Sequence, residues 1–256
     1  MTEILQLSNV TLSFGGHRVL DEVNFSVEAG SITGLIGPNG AGKTSIFNLI
    51  CGIVAKQSGD IHYAGHSISG LKPFEVARLS IGRTFQDPRV FPNMSVIDNV
   101  MVGIRQRGEH IFPALLRDKA MRENARDIRK RAENLLESVG LHARLYDLAD
   151  TLSFGEQRFL SIARTLIAEP RLILMDEPTV GLDHNSLGKL TDLMSQIVSA
   201  GNTTLLVIEH NMEVVMSISS KIVLLVAGRV EASDVPAEVK KHENMVNAYL
   251  GRKHVA

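Results

Sequence analysis

The sequence predicts an α/β fold in which strands and helices alternate around a phosphate-binding loop, with a mainly helical insert between strands. Three observations predict it. Residues Gly37 to Thr44 read GPNGAGKT, a complete match to G-x-x-x-x-G-K-[ST]. The apolar run Ser31 to Ile36 precedes this loop, and Ile46, Leu49, Ile50 and Ile53 follow at i, i+3, i+4 and i+7, giving the order strand, glycine loop, helix. Far downstream, Leu172-Ile173-Leu174-Met175 reads as a fully buried strand that ends on two carboxylates, Asp176 and Glu177.

The bulk numbers suit such a core. A chain of 256 residues buries enough for one broad domain or two lobes, and 44% hydrophobic with 21% charged residues is ordinary for a globular protein. A net charge of −1 supplies no general basic field, so nucleic acid is not an expected partner. Cys51 is the single cysteine, which excludes an internal disulfide and a cysteine-based metal cluster; at the end of the loop helix it reads as a buried structural thiol. No signal peptide opens the chain, and no apolar run approaches the ~20 residues a membrane helix needs. The expectation is a soluble, cytoplasmic protein.

In order, Leu5, Leu7, Val10, Leu12 and Phe14 are spaced mostly as in a half-buried strand, and Gly15-Gly16 turn the chain into a second strand-like region, Val19 to Val27. After the loop helix, Gly59 to Gly65 reads as a short strand bounded by glycines, and Ile81 to Phe85 as another that ends at Gln86. Asp87-Pro88 and Phe91-Pro92 break the pattern, and the character turns helical. Ser95 and Asp98 predict a capping box for a helix carrying Ile97, Val100, Met101 and Ile104. Gly108 and Pro113 mark a loop before a long helix with Met121, Ala125, Ile128, Ala132, Leu135, Leu136 and Val139 on one face, ending at Gly140. Its other face mixes basic and acidic residues and reads as solvated. Ser153 and Glu156 form a capping box for a helix whose apolar face is Phe159, Ile162, Ala163, Leu166 and Ile167. Gly181-Leu182-Asp183 turn into a helix with Leu187, Leu190, Met194 and Ile197 on one face; Thr203 to Ile208 is a buried strand; Ile222 to Val226 and Val230 to Ala232 form a hairpin. Pro236 opens a last amphipathic helix with Val239, His242, Val246, Tyr249 and Leu250.

The chemistry concentrates where these strands end. Gly37, Gly40 and Gly42 let backbone N–H groups turn toward a polyphosphate, Lys43 reaches β- and γ-phosphates, Thr44 ligates Mg²⁺, and the helix N-terminus favours the anion. The chain is therefore expected to bind ATP or GTP. Asp176 fits the acid that holds Mg²⁺, and Glu177 either orients an attacking water or forms a structural ion pair. His210 follows a strand at the edge where α/β sheets bind ligands, and is either functional or a polar loop residue. The Phe14 ring either stacks on a nucleotide base or packs in the core. The capped helix start at Ser153, with Gly155 beside it, is also a good anion site.

Taken together the blocks resemble the nucleotide-binding subunits of ATP-binding cassette (ABC) transporters over nearly the whole chain. They are Walker A (GPNGAGKT), a Gln loop at Gln86, the signature LSFGEQR from Leu152 to Arg158, Walker B (LILMDE), a D-loop at Gly181-Leu182-Asp183 and a switch histidine at His210. The resemblance implies a single P-loop ABC domain over 1–256, with a mixed-sheet core of residues 1–86 and 151–256 and a helical subdomain of 87–150 that includes the approach to the signature helix. It implies ATP and Mg²⁺ as cofactors, held by Gly37, Pro38, Asn39, Gly40, Ala41, Gly42, Lys43, Thr44 and Ser45, with Phe14 on the adenine. Mg²⁺ falls to Thr44, Gln86 and, through water, Asp176. Glu177 handles the attacking water and His210 senses the γ-phosphate. Ser153, Gly155 and Glu156 belong to the signature that meets the nucleotide of a second subunit. One departure stands out: Phe154 replaces the first signature glycine, and Glu156 stands where glutamine is commonest.

Within the family, the aromatic-Gly-(Glu/Gln)-Gln-Arg signature, the run Val207 to Met216, the ending Ala248-Tyr249-Leu250-Gly251 and the helical insert from Gly103 to Leu135 look like the ATPases of branched-chain amino acid importers. That resemblance implies a homo- or heterodimeric partner ATPase, two transmembrane permease subunits, a periplasmic or extracellular solute-binding protein, and a place on the inner face of the cell membrane. Related systems for urea or amides, aromatic acids or lipopolysaccharide share several of these features, and a soluble assembly ATPase of the same family is the other alternative. A P-loop kinase is disfavoured by the signature block, and a GTPase by the lack of an Asn-Lys-x-Asp motif.

Overall fold

The computed structural model describes residues 2–104 and 119–245. Among these residues ten strands form two sheets. The first is antiparallel, in the order β2-β1-β4-β5: β1 Glu3–Phe14 pairs with β2 His17–Glu28 on one side and β4 Ser58–Tyr63 on the other, and β5 His66–Ser67 closes the edge. The second has six strands in the order β10-β9-β3-β8-β7-β6. Here β3 Ile32–Ile36, β6 Ile81–Thr84, β7 Leu172–Asp176, β8 Thr204–Ile208 and β9 Lys221–Val226 run parallel, and β10 Arg229–Asp234 turns back along β9.

Every residue of β3, β7 and β8 is buried, which is why these strands read as continuous apolar runs rather than alternating ones. The period-2 pleat divides their side chains between two cores. Leu172, Leu174, Leu206 and Ile208 face a cluster shared with the antiparallel sheet and with α1 Lys43–Ile50. Ile173, Met175, Leu205 and Val207 face the helical side, where α3 Val96–Met101, α4 Lys119–Ser138, α5 Phe154–Leu166 and α6 His184–Ser199 supply Val100, Leu136, Leu160 and Leu190. A third cluster joins Ile36 and Leu224 to Val215 of α7 Met212–Ile218 and Val239 of α8 Pro236–Val239. Burial of these apolar side chains, each worth roughly 1.5–3 kcal/mol, clamps the six-stranded sheet on both faces.

Several local expectations need correction. The loop helix stops at Ile50, so Ile53 lies beyond it and is 52% exposed. Ser95 Oγ caps α3 by accepting from Asp98 N, but the return bond expected of a capping box is replaced by the Ser95 hydroxyl donating to Asp98 Oδ2 at 2.5 Å. The last helix is two short pieces, α8 and α9 Glu243–Met245, with His242 between them; Val246, Tyr249 and Leu250, and the ending Ala248 to Gly251, lie outside the described residues. So do Gly108 and Pro113, and the side chain of Met121. The two-residue β5 and the short α2 Pro73–Val76 were not expected; Pro73 at the first helical position and Glu75 in the first turn were the available signal for α2, and in the structure Lys72 N donates to Glu75 Oε2.

Candidate nucleotide site

The parallel strands deliver their loops to one edge of the six-stranded sheet. The glycine loop follows β3, Gln86 follows β6, Asp176 and Glu177 close β7, and His210 follows β8. Carboxyl-end loops of a parallel sheet form the crevice where such folds bind ligands.

The glycine loop is shaped by contacts that a side chain would destroy. At Gly37 an added Cβ would lie 2.0 Å from the backbone oxygen of Leu225, so β9 runs directly behind the loop. The loop ends at Gly42, whose φ of +104° makes it the N-cap of α1. No side chain caps that helix and its first turn carries no acid, so its N–H groups and positive dipole end are left to an anion. Lys43 is 6% exposed and donates from Nζ to Gly37 O at 2.8 Å and Pro38 O at 2.9 Å. Burial pulls its pKa down, opposed by the charges of Glu177 and Asp176. Asn39, Gly40 and Thr44 are exposed, and Pro38 and Ser45 half-buried, while Ala41 and Gly37 are buried beneath them.

The acidic side of the site is tied together by direct bonds. Glu177 takes the left-handed conformation (φ 48°) and donates its N–H to Ile208 O at 2.9 Å, which swings its side chain off the end of β7. Its Oε2 accepts from Gln86 Nε2 at 2.9 Å, and its Oε1 sits 2.8 Å from His210 Nε2. Asp176 is buried, with Arg83 Nη2 at 3.4 Å from Oδ2. Desolvation raises its pKa, Arg83 works against that rise, and Glu177 adds to it.

Lys43, Asp176, Glu177, Gln86 and His210 are thus linked through bonds or charge, and Thr44 stands beside Lys43 on α1. The Phe14 ring, 51% exposed at the end of β1, is not core packing. Ser153, Gly155 and Glu156 are engaged elsewhere. Ser153 and Glu156 form the reciprocal capping box of α5, and Glu156 Oε1 also lies 3.4 Å from Arg144 Nη1. Gly155 faces Leu182 and Ser186 at the start of α6.

Three side chains that organise the site escaped sequence reasoning. Arg83 donates to Asn48 Oδ1 at 2.8 Å as well as approaching Asp176, fastening β6 to α1. Glu209 is 1% exposed and accepts from Thr179 N, His210 N and Asn211 N, which joins the turns after β7 and β8. Arg158 is 1% exposed and donates to the backbone oxygens of Phe85 and Val180. For Arg158 a signal existed: it lies four residues before Ile162, at the margin of the apolar face of α5.

The donor set fits a magnesium nucleotide. A hydroxyl, a carboxamide oxygen and a carboxylate are hard oxygen ligands of the kind Mg²⁺ takes together with phosphate oxygens, and the cradle of Gly37 and the uncapped start of α1 suit the polyphosphate. Fold and site together define a P-loop nucleoside triphosphatase. Residues 20–180 match the ABC transporter family model. The high-affinity branched-chain amino acid transport ATP-binding protein BraF of Pseudomonas aeruginosa is 36% identical, over 97% of this chain and 98% of its own length. The corresponding LivG proteins of Escherichia coli and Archaeoglobus fulgidus are 34% and 32% identical, again over 97% of this chain and over 98% and 96% of their own lengths. Among solved structures, the ADP conformation of the ATP-binding cassette MJ1267 superposes with a TM-score of 0.83 at 26% identity, covering 98% of this chain and all (100%) of that one. A dimeric post-hydrolysis state of the cassette MJ0796 bound to ADP and Pi gives a TM-score of 0.74 at 26% identity, covering 91% and 98%. The chain belongs to the ABC transporter family, and it is an ATP-hydrolysing subunit. Among the described residues no helix is long and apolar enough to cross a membrane.

Proposed function

We propose that this chain powers uptake of branched-chain or other hydrophobic amino acids, with Glu177 as the group that orients and deprotonates the water attacking ATP. The observation that carries the catalytic part is the Glu177 carboxylate held between Gln86 Nε2 and His210 Nε2, at the strand end next to Asp176. A base fixed by two donors, one to each oxygen, keeps its orientation while its charge is available to a water proton. Lys43 gives up the carbonyls of Gly37 and Pro38 to meet the β- and γ-phosphates, and the amides of Gly37 to Ser45 surround the polyphosphate. Phe14 stacks on the adenine. Thr44, Gln86 and, through water, Asp176 would hold Mg²⁺. When bound, the ion neutralises charge on the β- and γ-phosphate oxygens. His210 hydrogen-bonds the γ-phosphate and registers its loss.

Two such subunits close head to tail, so that Ser153, Gly155 and Glu156 on α5 present the signature to the nucleotide of the partner. The capped start of α5, a helix N-terminus suited to an anion, supports that assignment. Gln86 lies at the boundary between the core, 1–86 and 151–256, and the helical subdomain 87–150, and carries γ-phosphate occupancy toward the permeases. Two transmembrane permeases and an external solute-binding protein complete the importer, with this subunit on the inner face of the membrane. The solute class follows that of the branched-chain amino acid transport proteins that match nearly end to end. Uptake of radiolabelled leucine, isoleucine and valine by cells lacking this chain tests it. Uptake is expected to fall and to return with the wild-type chain but not with Glu177→Gln. Unchanged uptake of all three overturns the solute assignment.

A further inference from the structure

We propose that Arg158 is a positioning residue for ATP hydrolysis, a tie that makes the Gln86 segment, the turn after Glu177 and the start of α5 move as one unit. The inference rests on the roles given above to Gln86, Glu177 and the α5 start. Nη1 of Arg158 donates to Phe85 O at 3.0 Å, and Nη2 to Val180 O at 3.2 Å. The first acceptor is the residue immediately before Gln86. The second belongs to the turn that begins at Glu177, where Val180 N donates back to Glu177 O at 3.3 Å. One guanidinium therefore holds the segments that flank both partners in the Gln86–Glu177 hydrogen bond, at the residue before Gln86 and three residues after Glu177.

The same group is fixed to the helix start by Phe154, whose ring centroid lies 5.2 Å from the guanidinium carbon. That ring rests on Gly181, where an added Cβ would come within 2.8 Å of Phe154 Cε1 and where φ is +79°. Phe154, the departure from the usual two-glycine signature, thereby becomes the piece that couples the signature helix to the D-loop in this chain. A Cβ added at Gly155 would likewise lie 3.4 Å from Leu182 Cδ2, so the helix start packs close to the same turn.

Energetics argue against a packing role. Arg158 is 1% exposed and its Nε has no hydrogen-bond partner; the cost of burial outweighs the carboxylates of Glu209, Asp87 and Glu177, which favour its charge. Burying a charge on such terms is costly, and an apolar side chain of similar length fills the same volume without that cost. What an apolar side chain cannot do is donate simultaneously to two carbonyls on different loops, and a lysine ammonium lacks the planar fork that spans them.

The test is Arg158→Lys and Arg158→Met in the full chain, beside wild type and Glu177→Gln, with thermal melts to establish folding. In nucleotide-free protein, amide exchange of peptides covering 84–88 and 179–183 is expected to accelerate in both segments together. In steady-state hydrolysis, kcat is expected to fall about tenfold or more, as misplacement of reacting groups by ~1 Å costs up to ~100-fold, while KM for ATP changes by less than about twofold. Arg158→Lys should not rescue either readout. A folded Arg158→Met protein with wild-type kcat, full rescue by lysine, or a rise in KM at unchanged kcat overturns the proposal; if the methionine variant does not fold, the lysine variant decides. Turnover that survives in Glu177→Gln would instead sink the site assignment, and the exchange measurement would still judge the tie.

Discussion

Replacing Glu177 by glutamine separates chemistry from binding because the substitution keeps the shape of the side chain and removes its charge. In the native arrangement each carboxylate oxygen has its own donor, Gln86 Nε2 at 2.9 Å and His210 Nε2 at 2.8 Å. A glutamine at this position keeps one acceptor, which serves Gln86, and turns its amide N–H toward the His210 ring nitrogen, which accepts in the other tautomer. The network therefore survives, as do the glycine loop, Lys43 and the uncapped end of α1 that are proposed to take the phosphates. What is lost is the proposed proton acceptor, and general bases contribute about 10²–10⁴-fold to rate, or ~3–5 kcal/mol of barrier. Phosphate release at saturating ATP should drop by that factor, while a fluorescent ATP analogue binds Glu177→Gln as tightly as wild type. A kcat within about twofold of wild type would refute the reasoning, and so would a loss of activity matched by an equal loss of nucleotide affinity.

Other perturbations test the frame around that base. Gly37→Ala puts a Cβ 2.0 Å from Leu225 O, a backbone atom that no side-chain rotation can move; a stability lowered by the ~1–3 kcal/mol typical of overpacking, with weakened ATP binding, is expected in calorimetry and titration. Burial raises the Asp176 pKa above 3.8 in the folded, nucleotide-free protein, so the folded state holds its proton more tightly than the unfolded chain. Stability relative to Asp176→Asn is therefore greatest below the unfolded value and is lost as pH climbs through the raised folded value, a trend read from paired melts across that range. The Cys51 thiol is also pushed up by burial, with Arg83 opposing; it should react slowly with a maleimide in native protein and rapidly in denaturant.

How much could be read without coordinates depended on whether residues act locally or across the sheet. The glycine loop, the capping box of α5 and the carboxylates closing β7 are local patterns, and each sits where its spacing demanded. The two faces of β7 were not separable in the sequence, because Leu172 to Met175 are all apolar and only the flanking layers give them different neighbours. Phe14 was ambiguous for the same reason: an aromatic at the end of a strand packs or projects according to what lies beyond it, and here it projects. Arg83, Arg158 and Glu209 were hidden because their partners lie 22 to 93 residues away, or are backbone atoms that carry no mark of their own. Ile53 misled because helical spacing continues through Gly52, whose φ of +67° ends α1 before the last apolar position is reached.

The claim that this ATPase drives solute import is tested most directly by purifying Glu177→Gln with ATP from detergent-solubilised membranes and identifying the bound chains by mass spectrometry. The account predicts two polytopic permease subunits in stoichiometric amounts, together with a second cassette subunit or a second copy of this chain. Recovery of soluble partners only, or of the chain alone, would contradict it.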